Sequence, residues 1–262
     1  MAKHSDFRVD PWRRLSSTLR SYLRIVYGTS AQAAAEIDRL RRLHLPVRGA
    51  LPGGSRYSAR DPELALWVHA TLVDSTLATA AAWLTQLDRS DRARAYEESR
   101  RLGSAFGIPD ALLPRDIDGF DAYMTAMTGP AGPVHPTPVA RELARAVLAP
   151  PPGPALRTLA SAATRVVPAS LAAPIGALAD RVPAGSVAWL LWPSIGLLPG
   201  RVREEYGLPW RLPHRVVAGW LVRSWRAWNG ALPASIRHMP QARAADGRLV
   251  RAALSTGRGI AT

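Results

Sequence analysis

The chain of 262 residues contains no cysteine. That absence removes disulfides, thiolate zinc sites, iron–sulfur clusters and a cysteine nucleophile together. A metal used by this protein therefore rests on His, Asp or Glu, or arrives inside a carrier such as a porphyrin. Lysine is nearly absent: Lys3 is the only one, so the other basic residues are arginine. Alternating β-branched runs of the kind that make half-buried strands are missing, while alanine, leucine and arginine recur at helical spacing. The chain reads as all-α.

Signature motifs are lacking as well. There is no HExxH, CxxC, Walker loop or G-x-S-x-G, and no pair of E-x-x-H motifs of the di-iron bundle type. The longest apolar stretch, Val187–Leu198, is broken by Pro193. It falls short of the roughly 18–20 residues a spanning helix needs, so it grazes a membrane or lines an apolar pocket rather than crossing. The opening MAKHSDFRVDPWRRL has no apolar core of a secretory signal, and cytoplasmic residence is the expectation.

What is present is a globular composition, 47% hydrophobic and 21% charged, with enough length for a substantial core. The net charge of +14 raises the question of nucleic acid. The arginines are dispersed, with no long basic block, and this is the pattern of a solvated, weakly anion-attracting surface rather than a dedicated nucleic-acid face.

Helix punctuation is plain. Asp10-Pro11 opens a helix to Tyr27, and Gly28 stops it; Ser30 caps a second, Ala31–His44, ended by Pro46. A Gly/Pro loop through Gly54 follows. Asp61-Pro62 opens a long central helix to about Leu87, Ser90 or Asp91 begins another toward Phe106, and Asp116–Thr128 makes the next. Shorter helices are expected over Pro138–Ala149, Ala155–Val166 and Ser170–Ala179, then Leu212–Trp228 and Gln241–Leu254. The organisation is residues 1–10 as an extension, 11–254 as one bundle-like helical domain, and 255–262 as a loose tail. The Pro/Gly-rich stretch near residue 150 marks a candidate subdomain boundary.

Two histidines stand out. His69 lies in the central helix in a stripe of Pro62, Ala65, Leu66, Leu72, Val73 and Thr76. Such a bed of small and flexible residues suits a flat apolar ligand with a metal, and it equally suits a core histidine bonded to a backbone carbonyl. His44 ends the preceding helix with Arg41 one turn earlier, where cations also serve simply as dipole partners.

Several stretches carry a resemblance. Arg39-Leu40-Arg41-Arg42-Leu43-His44-x-x-Val47-Arg48-Gly49, Tyr57-Ser58-Ala59-Arg60-Asp61-Pro62 and Trp67-Val68-His69-Ala70-Thr71-Leu72 resemble one helical oxygenase family. That family contains the rubber oxygenase latex clearing protein and the mycophenolic-acid-pathway oxygenases. Gly107-Ile108-Pro109, Glu205-Tyr206-Gly207-Leu208 and Arg237-His238-Met239-Pro240 are similar too, and the likeness covers roughly residues 10–250. It implies an all-α fold with a buried pocket for one haem b, and His69 as the proximal iron ligand. It places Arg41 and His44 on the distal side as catalytic groups, with histidine standing where the rubber-cleaving relatives have lysine. Arg48 and Arg60 are the expected propionate partners. The implied activity is an oxygenase using O2 on a hydrophobic small molecule, by C=C cleavage or related chemistry. A haem-binding protein without turnover, and an arginine-rich nucleic-acid binder, are the alternatives.

Overall fold

The computed structural model describes residues 11–50, 54, 56–148, 193–233 and 237–255. The expected helices Ala155–Val166 and Ser170–Ala179, the 1–10 extension and the tail beyond Ser255 lie outside the described residues. The helices are α1 (Pro11–Tyr27), α2 (Ser30–His44), α3 (Pro62–Trp83), α4 (Arg89–Ala105), α5 (Ile117–Thr128), α6 (Pro138–Leu148), α7 (Gly200–Glu205), α8 (Leu212–Ala231) and α9 (Pro240–Ser255). Residues 193–197 are helical as well. The fold is all-α, and among the described residues its one sheet is a short hairpin.

That hairpin replaces the expected Gly/Pro loop. β1 (Arg48–Ala50) pairs antiparallel with β2 (Arg56–Ser58), in the register Arg48↔Ser58, Gly49↔Tyr57 and Ala50↔Arg56. Strands of three residues are too short to show the alternation by which strands are read from sequence. The ring of Tyr57 occupies the space beside Gly49, where a Cβ would stand 2.9 Å from it.

Local chemistry fixes the helix starts. Pro62 is at the first turn of α3, and the Asp61 carboxylate accepts from the N–H groups of Glu63 (2.9 Å) and Leu64 (3.5 Å). At α4 the Asp88 carboxylate accepts from Asp91 N while Asp91 accepts from Asp88 N, a reciprocal capping box. This cap begins α4 ahead of the expected Ser90 and requires extended backbone at Asp88, so α3 ends at Trp83 instead of near Leu87. Asp116 caps α5 through Gly119 N at 2.9 Å.

The described chain falls into two compact units. One comprises residues 41–148 and 193–230; its core joins Ala70, Val73 and Leu77 of α3 to Tyr96 of α4 and to Ile117 and Phe120 of α5. Tyr96 and Phe120 meet at 4.9 Å between ring centroids, and the Tyr96 hydroxyl donates to the Pro114 carbonyl at 2.6 Å. Leu66, Ile108 and Leu113 form a second cluster in the same unit. The other unit comprises residues 11–40 and the described part of 231–255, where α1 packs with α9 and Arg248 donates to the Tyr27 carbonyl.

α3 is long and apolar enough, by length and composition alone, to cross a membrane. The expectation of no spanning candidate rested on unbroken apolar stretches, whereas α3 is apolar on average despite Glu63 and Asp74. Leu66, Ala70, Val73 and Leu77 instead bury one arc of it in the core of its unit.

Candidate functional site

The stripe expected around His69 is corrected by this packing. The buried positions on α3 are Leu66, His69, Ala70, Val73 and Leu77, whereas Leu72 and Thr76 are exposed. At about 100° per residue, the four apolar positions fall on one side of His69 and Leu72 on the other. His69 therefore sits at the rim of the buried arc, where a side chain is enclosed but neighbours a second element.

That element is α4. The imidazole, 8% exposed, donates a hydrogen bond to the backbone carbonyl of Ser99. Burial pushes its pKa below the ordinary histidine value, and the Ser99 carbonyl opposes only part of that effect. Its Nε2 is buried with no hydrogen-bond partner among the described residues. A satisfied core histidine uses both nitrogens, so a purely structural role leaves this atom unexplained.

Nε2 lies beside Gly103 of α4. A Cβ added at Gly103 would stand 3.1 Å from Nε2 and 3.0 Å from Leu113 Cδ2. Gly103 is thus a cradle that a side chain would fill, a residue the sequence reading missed. The available signal was a glycine inside a helical pattern, which costs about 1 kcal/mol against alanine and often marks a close approach.

Arg41 reaches the same stretch of α4. Its Nη2 donates to the Ala105 carbonyl at 2.8 Å, two residues beyond Gly103. α4 ends there, because Gly107 turns the chain at φ +91°, a conformation other residues rarely adopt. The cation thereby satisfies a carbonyl at the negative end of the helix. The structure brings His69 and Arg41 to one turn of α4. His44 is exposed at the end of α2. Arg48 is exposed on β1, and Arg60 lies in an open groove with Ser58, Asp61, Pro62, Glu63 and Leu112.

A neutral imidazole, oriented through one nitrogen and unsatisfied at the other, is the donor that a haem iron takes from a protein. The residues present fit that group: His69 would supply the nitrogen, Ser99 would orient the ring, and Gly103 withholds a side chain beside it. No cluster of three or more His, Asp or Glu suited to a metal ion occurs among the described residues, and a porphyrin iron needs none.

Comparison with known proteins places these residues in context. Residues 1–231 match the family described as ER-bound oxygenase mpaB/B'/rubber oxygenase, catalytic domain. Uncharacterized proteins of Mycobacterium bovis and Mycobacterium tuberculosis are each 28% identical over 114 residues. Those matches cover 43% of this chain and 44% of each relative, so the chain spans under half the length of the curated relatives it matches. No solved structure matches it.

Proposed function

The chain belongs to the mpaB/rubber oxygenase catalytic-domain family, and from that premise we propose that it is a haem b-dependent oxygenase acting on a hydrophobic small molecule. The observation that carries this reading is the buried, unpartnered Nε2 of His69 beside Gly103. Bound haem would supply the activation of O2, chemistry that no side chain of this protein provides.

The protein's own residues have separate tasks. His69 presents Nε2, and burial lowers the ring's pKa, which favours the neutral form whose lone pair a metal takes. The Ser99 carbonyl holds the opposite N–H and so fixes the ring orientation. Gly103 keeps the near side of α4 free of atoms that would compete for Nε2. Arg41 ties the end of α2 to the end of α4 through Ala105, which sets the end of α2 relative to the helix that covers His69. In the proposed enzyme Arg41 and His44 form the polar side of the pocket, and Arg48 and Arg60 are the candidate propionate partners.

An absorption spectrum of purified protein tests the reading. A Soret band that shifts on reduction and on CO binding is expected, and His69→Ala should lose or strongly perturb it. His69→Ala protein with unchanged haem content and spectrum would remove His69 as the ligand. Oxygen uptake with isoprenoid or other unsaturated apolar compounds then separates an oxygenase from a haem-binding protein without turnover. Colourless protein with steeply salt-dependent DNA affinity would displace the haem account.

A further inference from the structure

We propose that the outer face of α8 is a docking surface for an anionic lipid bilayer. α8 is fastened on one side: Ala218 is buried, Arg226 donates to the Ala81 carbonyl near the end of α3, and Trp225, itself 46% exposed, meets Trp83 edge-on at 6.4 Å. The opposite side carries large apolar residues in the open. Leu212, Val216 and Trp220 follow one another at four-residue steps within about 80° of the helix circumference, and Trp228 extends that apolar face about a further 80° toward the C-terminal end. Trp220 is 61% and Trp228 71% exposed. Tryptophans presented this way are costly in water and favoured at the headgroup level of a bilayer.

The charge on the helix decides the occupant. Arg215 and Arg223 are exposed beside the apolar row, α8 contains no Asp or Glu, and the whole chain carries +14. Two copies meeting symmetrically on this face would bring their arginines toward one another with no carboxylate on the helix to pair them. Anionic headgroups complement both features: the rings enter the headgroup boundary while the arginine stems lie along it and keep their guanidiniums among the phosphates. The inference is independent of the haem reading, because it draws on none of His69, Gly103 or Arg41. It also fits an enzyme whose substrate is apolar, since such compounds partition into bilayers.

Sedimentation of the full chain with vesicles tests it. Vesicles of phosphatidylcholine with phosphatidylglycerol should bind the protein, vesicles of phosphatidylcholine alone much less, and salt should weaken binding. The Trp220→Ser/Trp228→Ser variant should partition at least about tenfold more weakly. Arg215→Ser or Arg223→Ser should each cost about fivefold on the anionic vesicles. Circular dichroism should show unchanged helix in all three, as expected for exposed positions. No binding to anionic vesicles, or equal binding by wild type and the double tryptophan variant, overturns the proposal. A concentration-dependent dimer in light scattering that the tryptophan variant abolishes assigns the face to a second copy and overturns it too.

Discussion

His69 Nε2 faces the glycine of α4, and a Cβ on Gly103 would stand 3.1 Å from it. The two residues are 34 positions apart, yet the space beside the nitrogen depends on both. Gly103→Val should therefore destabilise the protein by about 1–3 kcal/mol, the usual cost of overpacking, and should also lower haem content. Urea denaturation and the ratio of Soret to protein absorbance measure the two effects. A variant with both values unchanged would show that the contact is loose.

Replacing His69 by leucine separates the structural from the ligand role. The substitution removes a buried, unpaired nitrogen whose burial costs about 1–3 kcal/mol, and it gives up one hydrogen bond worth about 1 kcal/mol. Haem-free His69→Leu should thus resist urea as well as the wild type or better, while the haem spectrum is lost. A fall in stability beyond about 2 kcal/mol, with the imidazole acting mainly through its Ser99 bond, would instead make His69 a structural residue.

Tyr96 tests the core of the same unit. Its hydroxyl donates to the Pro114 carbonyl at 2.6 Å, its ring packs on Phe120, and burial pushes its pKa up to about 12. Tyr96→Phe keeps the ring and orphans the carbonyl, for an expected loss of about 1–2 kcal/mol. Phe120→Ala should cost more, about 3–5 kcal/mol. Equilibrium unfolding of both variants gives the order directly, and the reverse order would contradict it.

Asp74 supplies the pH dependence. Burial, with Asp121 adding to it, raises its carboxyl pKa above the ordinary 3.8, and Arg92 opposes the shift. A raised pKa means that the fold prefers the protonated form. The stability linked to this group is present below pH 3.8 and is lost as pH rises through the folded-state value. Asp74→Asn should therefore melt higher than wild type at neutral pH, and the gap should close as pH falls toward 3.8. A gap that is constant across pH would mean that the amide acts by packing alone.

Much of this arrangement was legible in the sequence, and the remainder has physical reasons. Asp61-Pro62, Asp116 and the Gly107-Ile108-Pro109 stop announce helix ends because caps and stops are local. The all-α class follows from composition and spacing. The β1–β2 pair was not legible, since three residues per strand show no period. Neither was the six-residue α7, which has no side-chain cap to announce it. Among site residues, His69 was readable as an oddity in an apolar helix and gained meaning from its W-V-H-A setting. Which side of the helix is buried was not readable: α3 is apolar nearly all round, so Leu72 and Val73 look alike until a neighbour covers one of them. Gly103 and Ser99 escaped for the same reason, because their relation to His69 exists only once α3 and α4 are packed.

The β1–β2 hairpin changes what the stretch between His44 and His69 amounts to. The Ala59 N–H donates to the Val47 carbonyl at 2.9 Å, so the chain is pinched at the base of the β1–β2 pair. Gly54, beyond that pinch, is then a natural insertion point, where a peptide tag or a reporter domain can be carried. Each doubling of the connection's length costs only about 0.6 kcal/mol in closure entropy. The distance between the end of α2 and the start of α3 is set at the pinch, and an engineer can lengthen the hairpin without moving the histidine.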